Sequence, residues 1–266
     1  MSRGPSMTLP ALTAVDFGGP EDAPLLVLGP SLGTSVAALW SNAARLLATR
    51  HRVIGFDLPG HGGSPPPVEA FTMADLAHAV DTIAMSYEAG PYHYAGVSAG
   101  GAVGLELLLD HEDRIATAAL ICTGAKIRTA EAWSERARNV RRNGTSAMTE
   151  SARITWFSAG FPLRDPDTAA ALLESLRETN AEGYAATCDA LGQFDVRDRL
   201  TTIGGDVIAI AGAEDIATPP SSLLYLAEHI PRCDYLEIAQ TAHLAPAEQP
   251  ELIAQELLAL TQRSPA

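Results

Sequence analysis

Positive charge is what this sequence is short of. Its 18 Lys and Arg face 32 Asp and Glu, for a formal net charge of −14 over 266 residues. Nucleic acid and anionic membrane both need a basic surface, so neither is expected as a partner. Cysteine is scarce too. Cys122, Cys188 and Cys233 are odd in number and far apart, with no CxxC spacing, which predicts neither a disulfide framework nor a structural metal site. The opening stretch "MSRGPSMTLPALTAVDFGG" lacks the continuous apolar core of a signal peptide. No apolar run reaches the ~18 residues of a membrane span. Together these absences predict a cytoplasmic protein. Neither GxGxxG nor GxxxxGK[ST] occurs, so no phosphate-cradling loop is expected. Beyond the short "SPPP" at 64–67 there is no low-complexity tract.

What is present is enough apolar material for a core: 47% hydrophobic against 19% charged. Short apolar runs at 24–29, 51–57, 92–97, 117–123, 206–212 and 234–239 read as strands, several of them apolar on both faces as buried parallel strands are. Helical patterns at about 37–49, 72–88, 99–110, 219–230 and 249–262 alternate with them. That alternation predicts an α/β fold, a mostly parallel sheet flanked by helices. From 124 to 198 the rhythm changes to helices alone, with Asp165-Pro166 and Asn180 as helix starts. The expected organisation is a core of 1–123 and 199–266, interrupted by a helical insertion over 124–198.

The stretch "YHYAGVSAGGAVGLELLLD" (92–110) places Ser98 in G-x-S-x-G, between a strand and a helix. That context makes the motif a nucleophile elbow, in which a sharp turn exposes the serine at the carboxyl edge of the sheet. A serine hydroxyl is a weak nucleophile until a base takes its proton and an acid orients that base. Three histidines follow Ser98. His111 and His229 sit at helix ends, where a basic residue is favoured by the helix dipole. His243, in the loop "AQTAHLAPAEQPE" after the last strand, is the expected base. Glu214 and Asp215, after the strand "DVIAIAG", are both placed to be the acid. The oxyanion donors are expected from the N–H of Ala99 and that of Leu32 in "LGPSLGTSVAALW", with Ser31 read equally as a hydroxyl helper or as a turn residue. His61 in "PGHGGS" reads as a turn residue and Cys122 as core. No metal and no organic cofactor is required.

In order and spacing, "SLGTSVAALW", "FDLPGHGGS", "GVSAGGAVGLELLLDHEDRI", "TGAKIRTAEAWSERARNV", "WF", "EGYAATCDAL", "IAGAEDIATPP" and "AHLAPAEQPE" resemble the 3-oxoadipate enol-lactonases. These are α/β-hydrolases with a helical cap, and the likeness runs over about residues 12–260. It implies hydrolysis of an unsaturated five-membered lactone in aromatic catabolism, the β-ketoadipate pathway. It implies Ser98, Asp215 and His243 as the triad, choosing Asp215 over Glu214. The chain departs from the pattern at four places. Ala99 replaces a bulky residue, Thr155 the Arg of "RWF", Leu58-Pro59 a Thr-Arg pair, and Pro30 an Asn. All four bear on the substrate, whose carboxylate needs a basic group. Residues 124–157 hold seven basic and three acidic side chains, a local reversal of the chain's charge. Trp133 and Arg136 share a helical face that points inward, and Arg128 lies at the entrance to the insertion, so these three are the expected substrate-binding residues. The partner is then a small lactone or ester, and the oligomeric state stays open. The alternatives are a carboxylesterase or lactonase for an uncharged substrate, and a non-catalytic ligand-binding relative of the same fold.

Overall fold

The computed structural model describes residues 9–263. The outer ends of the two core segments, 1–8 and 264–266, lie outside them. Among the described residues seven strands form one sheet: β1 (Ala14–Gly18), β2 (Leu25–Gly29), β3 (Arg52–Phe56), β4 (Tyr92–Val97), β5 (Ile115–Ile121), β6 (Asp206–Gly212) and β7 (Cys233–Ile238). Their order is β1-β3-β2-β4-β5-β6-β7. β1 runs antiparallel to β3 and all other neighbours are parallel. The fully buried strands β2 and β4 are apolar on both faces, as burial between two helix layers requires. β1 is the one strand that sequence reading missed. It is short and only half-buried, so it carries little of the apolar signal that marks the others.

Helix α1 (Val36–Leu47) leads from β2 outward to β3, whereas α2 (Met73–Met85) and α3 (Ala99–Asp110) lead the other way across the sheet. Right-handed crossovers in opposite directions put α1 on one face and α2 with α3 on the other. Between β5 and β6 the chain forms α4 (Ala130–Asn143), α5 (Thr149–Trp156), α6 (Phe161–Arg164), α7 (Pro166–Glu178) and α8 (Ala181–Gln193), with no strand. α9 (Pro220–His229), α10 (Ala245–Glu248) and α11 (Pro250–Thr261) complete the fold, α11 packing against α1. No helix among the described residues is long and apolar enough to cross a membrane.

Local chemistry sets the helix ends. Thr72 and Asp75 form a reciprocal capping box at the start of α2. Asp165 accepts from Thr168 N at 3.1 Å, with Pro166 in the first turn of α7. Asn180 accepts from the N–H groups of Glu182 and Gly183, both at 3.0 Å, to start α8. α4 buries Trp133, Ala137 and Val140, and packs against α8. The reversal of direction between β2 and β4 opens a crevice at their carboxyl ends, where ligands of open α/β sheets bind.

Candidate active site

Ser98 caps α3 directly after β4, with φ 55° and ψ −110°. A non-glycine residue reaches that region only under strain, and such strain gathers at functional sites. The turn is held from both sides. Ser98 N–H donates to Ile121 O of β5 at 2.9 Å, and its carbonyl accepts from Ala102 N–H at 2.9 Å and Thr123 Oγ1 at 2.8 Å. The flanking glycines follow from close approach. A Cβ on Gly96 would sit 2.3 Å from Gly100 O, and one on Gly100 would sit 2.6 Å from the carbonyl carbon of Gly29. Only backbone fits at either place, which answers why the serine is set between glycines.

His243 lies in the loop after β7 and Asp215 in the loop after β6. Parallel strands deliver both loops to the same edge of the sheet as Ser98. His243 Nδ1 and Asp215 Oδ2 are 2.8 Å apart, with the two side chains 5% and 0% exposed. Asp215 also accepts from Ala217 N–H at 2.8 Å, Thr218 N–H at 3.1 Å and Thr218 Oγ1 at 2.7 Å. Burial pushes the Asp215 carboxyl up, but the charge and hydrogen bond of His243 and the Thr218 donors together hold it below its ordinary value. Among the described residues both polar contacts of the imidazole are made by Nδ1, which donates to Asp215 Oδ2 and lies 3.3 Å from Thr218 Oγ1. Nε2 is therefore the nitrogen left for the cavity that His243 shares with Ser98. Thr218 was not foreseen as part of the site. Its signal was readable in "DIAT", because a Thr three residues after an Asp can donate from both N–H and hydroxyl to that carboxylate.

Leu32 and Ser31 line the same cavity. Among the described residues neither Leu32 N–H nor Ala99 N–H donates to a protein acceptor. The loop bearing Leu32 is tied to the start of α3 by Gly100 N–H donating to Pro30 O at 2.9 Å, so the two donors are held beside one another. Buried Asp57 braces this loop, accepting from Val36 N–H at 2.7 Å and Gly63 N–H at 2.9 Å.

Ala217 and Thr218 add to the cavity wall from the loop after β6, and the rest of it comes from the insertion: Ile127, Arg128, Trp133, Arg136, Thr155 and Trp156. All three residues expected to bind substrate are among them. The cavity is tight, about 30 Å³, room for a water or two. Arg136 lies 5.4 Å over the Trp133 ring, and its Nη1 reaches Tyr184 Oη at 3.5 Å. Arg128 holds a strained backbone, φ 57°. Although exposed over much of its surface, its guanidinium is lowered in pKa by desolvation and then by the like charge of Arg136. Among the described residues neither arginine has a carboxylate partner, whereas Arg141 on the same helix as Arg136 pairs with Glu182 at 2.7 Å and Asp189 at 2.8 Å.

The other candidates lie elsewhere. Glu214 accepts from Ala159 N–H at 3.1 Å, which ties the insertion to the loop after β6. His111 faces Asp81 at 3.6 Å and His229 bonds to Tyr225 O at 2.8 Å. His61 is fully buried, with Nδ1 on Pro59 O at 3.0 Å, and burial lowers its pKa to about 4. Burial pushes the Cys122 thiol well above its ordinary range, which leaves it unreactive. Among the described residues no group of three or more His, Cys, Asp or Glu side chains is arranged to hold a metal ion.

Residues 24–250 match the α/β-hydrolase fold family. The chain is 33% identical to 3-oxoadipate enol-lactonase 1 of Acinetobacter baylyi over 242 residues, covering 91% of this chain and 90% of that protein. It is 32% identical to enol-lactonase 2 of the same organism, covering 95% and 94%. The crystal structure of the enol-lactonase from Burkholderia xenovorans LB400 superposes with a TM-score of 0.90 at 29% identity, covering 94% of this chain and 96% of that one. The chain is thus an α/β-hydrolase, a carboxylic-ester hydrolase belonging to the 3-oxoadipate enol-lactonase family.

Proposed function

We propose that this enzyme opens a small lactone that carries a carboxylate, with 3-oxoadipate enol-lactone as its substrate and 3-oxoadipate as product. Ser98 Oγ attacks the lactone carbonyl while His243 Nε2 takes its proton. Asp215 keeps the other imidazole proton on Nδ1 and stabilises the imidazolium that forms. The N–H groups of Ala99 and Leu32 hold the oxyanion. When the ring C–O bond breaks, the enolate oxygen takes the proton from His243, stays tethered to the acyl group and tautomerises to the ketone. Water, with His243 as base, then frees Ser98. We further propose that residues 124–198 act as a cap over the cavity, and that the enzyme works in the cytoplasm.

The observation that carries the substrate is the pair of cavity arginines, Arg128 and Arg136, which have no carboxylate partner among the described residues. Two unneutralised cations cost energy through their mutual repulsion, and an anionic substrate relieves it. The neutral-ester reading is favoured by Thr155, which lines the cavity and places no charge there. The two readings separate in one experiment. Purified protein is followed by loss of the enol-lactone ultraviolet absorbance and, in parallel, by release of p-nitrophenol from short neutral esters. A kcat/KM for the lactone well above that for the esters is expected. The reverse order would make the neutral-ester reading the better one.

A further inference from the structure

The loop that carries His243 is held by a carboxylate that the mechanism does not use. Glu248, at the end of α10, is buried at 4% exposure. Its Oε1 accepts from Ala242 N–H at 3.0 Å, the residue just before His243. The same carboxylate accepts from Ser158 N–H at 3.2 and 3.3 Å to its two oxygens, and from Ser158 Oγ. Leu244, just after His243, donates its N–H to Trp156 O at 3.3 Å. The backbone on both sides of the histidine is therefore tied to the segment 156–158 of the insertion, once directly and once through Glu248. Trp156 is itself part of the cavity wall.

Burial pushes the Glu248 carboxyl up, opposed by the Ser158 and Ala242 donors and by Arg164. A buried carboxylate is costly unless its lone pairs are filled, so the site is stable only with both tethers made. A cavity this tight admits a lactone only when side chains of the insertion give way, and displacement of 156–158 would also pull on the ties to the histidine loop.

We propose that Glu248 is a positioning residue that makes the seating of segment 156–158 and the placement of His243 a single event. When the segment is seated, Ser158 and Ala242 share one carboxylate and the imidazole sits ready in the cavity. When it lifts, Glu248 loses Ser158, and the histidine loop loosens with it. The hydrolytic site is thus complete only under a closed insertion. The proposal rests on His243 being the general base.

The test uses Glu248→Gln, Glu248→Ala and Ser158→Ala in the full chain. Gln keeps the shape but cannot accept at both ends of its side chain. The readouts are kcat and KM on the best substrate, the rate of labelling by a small neutral fluorophosphonate, and the downfield proton NMR signal of the Nδ1–H between His243 and Asp215. Rates are normalised to folded protein. Labelling needs Ser98, its base and the oxyanion donors but does not use the arginines, so it reports on the hydrolytic machinery apart from substrate selection. Misplacing a catalytic group by about 1 Å costs on the order of 10²-fold. Glu248→Ala is therefore expected to slow kcat and labelling by roughly a hundredfold. Glu248→Gln should slow both by about tenfold, and Ser158→Ala by about threefold, each with a shifted or broadened Nδ1–H signal. If Glu248→Ala does not fold, the other two variants carry the test. Labelling, kcat and the proton signal all unchanged in Glu248→Gln and Ser158→Ala, with only thermal stability reduced, would reduce Glu248 to a structural tie and overturn the proposal. Failure of the unmodified enzyme to label at Ser98 would instead overturn the serine mechanism, a separate outcome.

Discussion

At the carboxyl ends of the strands, Asp215 has its lone pairs filled by His243, Ala217 and Thr218. In the insertion, Lys126 is paired with Asp195 and Arg141 with two acids, yet Arg128 and Arg136 line the cavity and form no ion pair among the described residues. Both regions contribute to one wall, but they use charge differently. At the strand ends the charge of Asp215 is spent on orienting the His243 imidazole, within a dense hydrogen-bond net. The insertion leaves it uncompensated, which is the condition for drawing in an anion. Under the proposed function, the chemical step falls to the strand ends and selection of the anion to the two cavity arginines, with segment 156–158 linking the two regions through Glu248.

The largest expected effect is at the strand ends. Ser98→Ala should fold and lose roughly 10⁶-fold in kcat, leaving the contributions of the oxyanion donors and binding. Retention of more than about a tenth of the rate on the best substrate would remove Ser98 as nucleophile. Next, Asp215→Asn should cost about 10⁴-fold in kcat by spoiling the histidine tautomer. Glu214→Gln should cost less than about tenfold, because Glu214 holds Ala159 and not the imidazole. The opposite ranking would move the orienting acid to Glu214.

The insertion should respond in KM instead. Arg128→Gln and Arg136→Gln are each expected to raise KM for the carboxylate lactone about tenfold, the scale of one lost hydrogen bond to a charged group. A neutral ester should change less than about twofold. Salt should narrow the gap between substrates. Equal losses on both substrates would erase the distinction between the regions.

A smaller effect concerns stability in acid. Burial lowers His61 and His93 from the ordinary 6.5 to about 4. Below pH 6.5 the unfolded chain binds protons that the folded imidazoles refuse, so stability falls with pH and the loss is complete near 4. Each imidazole accounts for up to about 3 kcal/mol over that window. The depressed Asp215 adds stability that is present above its ordinary value and lost as pH falls through its lowered one. Denaturant titrations between pH 7 and 4 should show the decline, flattened in His93→Gln. A flat wild-type profile would contradict it. The smallest effect is expected from Arg141→Ala, a partly exposed ion pair worth at most about 1 kcal/mol, with kcat and KM unchanged. A change in KM there would extend the selecting charge beyond the cavity.

Much of this was legible in the chain alone because it is written locally. G-x-S-x-G between a strand and a helix reports its own turn, since only glycine tolerates the approach of Gly100 O to position 96. The alternation of short apolar runs and amphipathic helices reports a parallel sheet, since burial on two faces demands it. Trp133, Ala137 and Val140 are all buried, as their spacing along α4 implies. Edge strand β1 escaped because a half-buried five-residue strand has no such pattern.

Other features are decided only by folding. The residue types of Glu214 and Asp215 do not separate them. The path of the loop after β6 does, turning Asp215 onto His243 and Glu214 onto Ala159. Nothing in the local pattern around Arg128, Arg136 or Arg141 says which guanidinium finds a carboxylate, because Glu182 and Asp189 reach Arg141 from 41 and 48 residues away. Nor does "AHLAPAEQPE" show that its Glu248 will meet Ser158, 90 residues back. Side-chain identity and short-range periodicity are properties of the sequence, and they determined the fold class and the candidate nucleophile and base. Which charges are paired, which are left facing the cavity and what braces the base depend on contacts between distant segments, and those exist only once the insertion has packed onto the sheet.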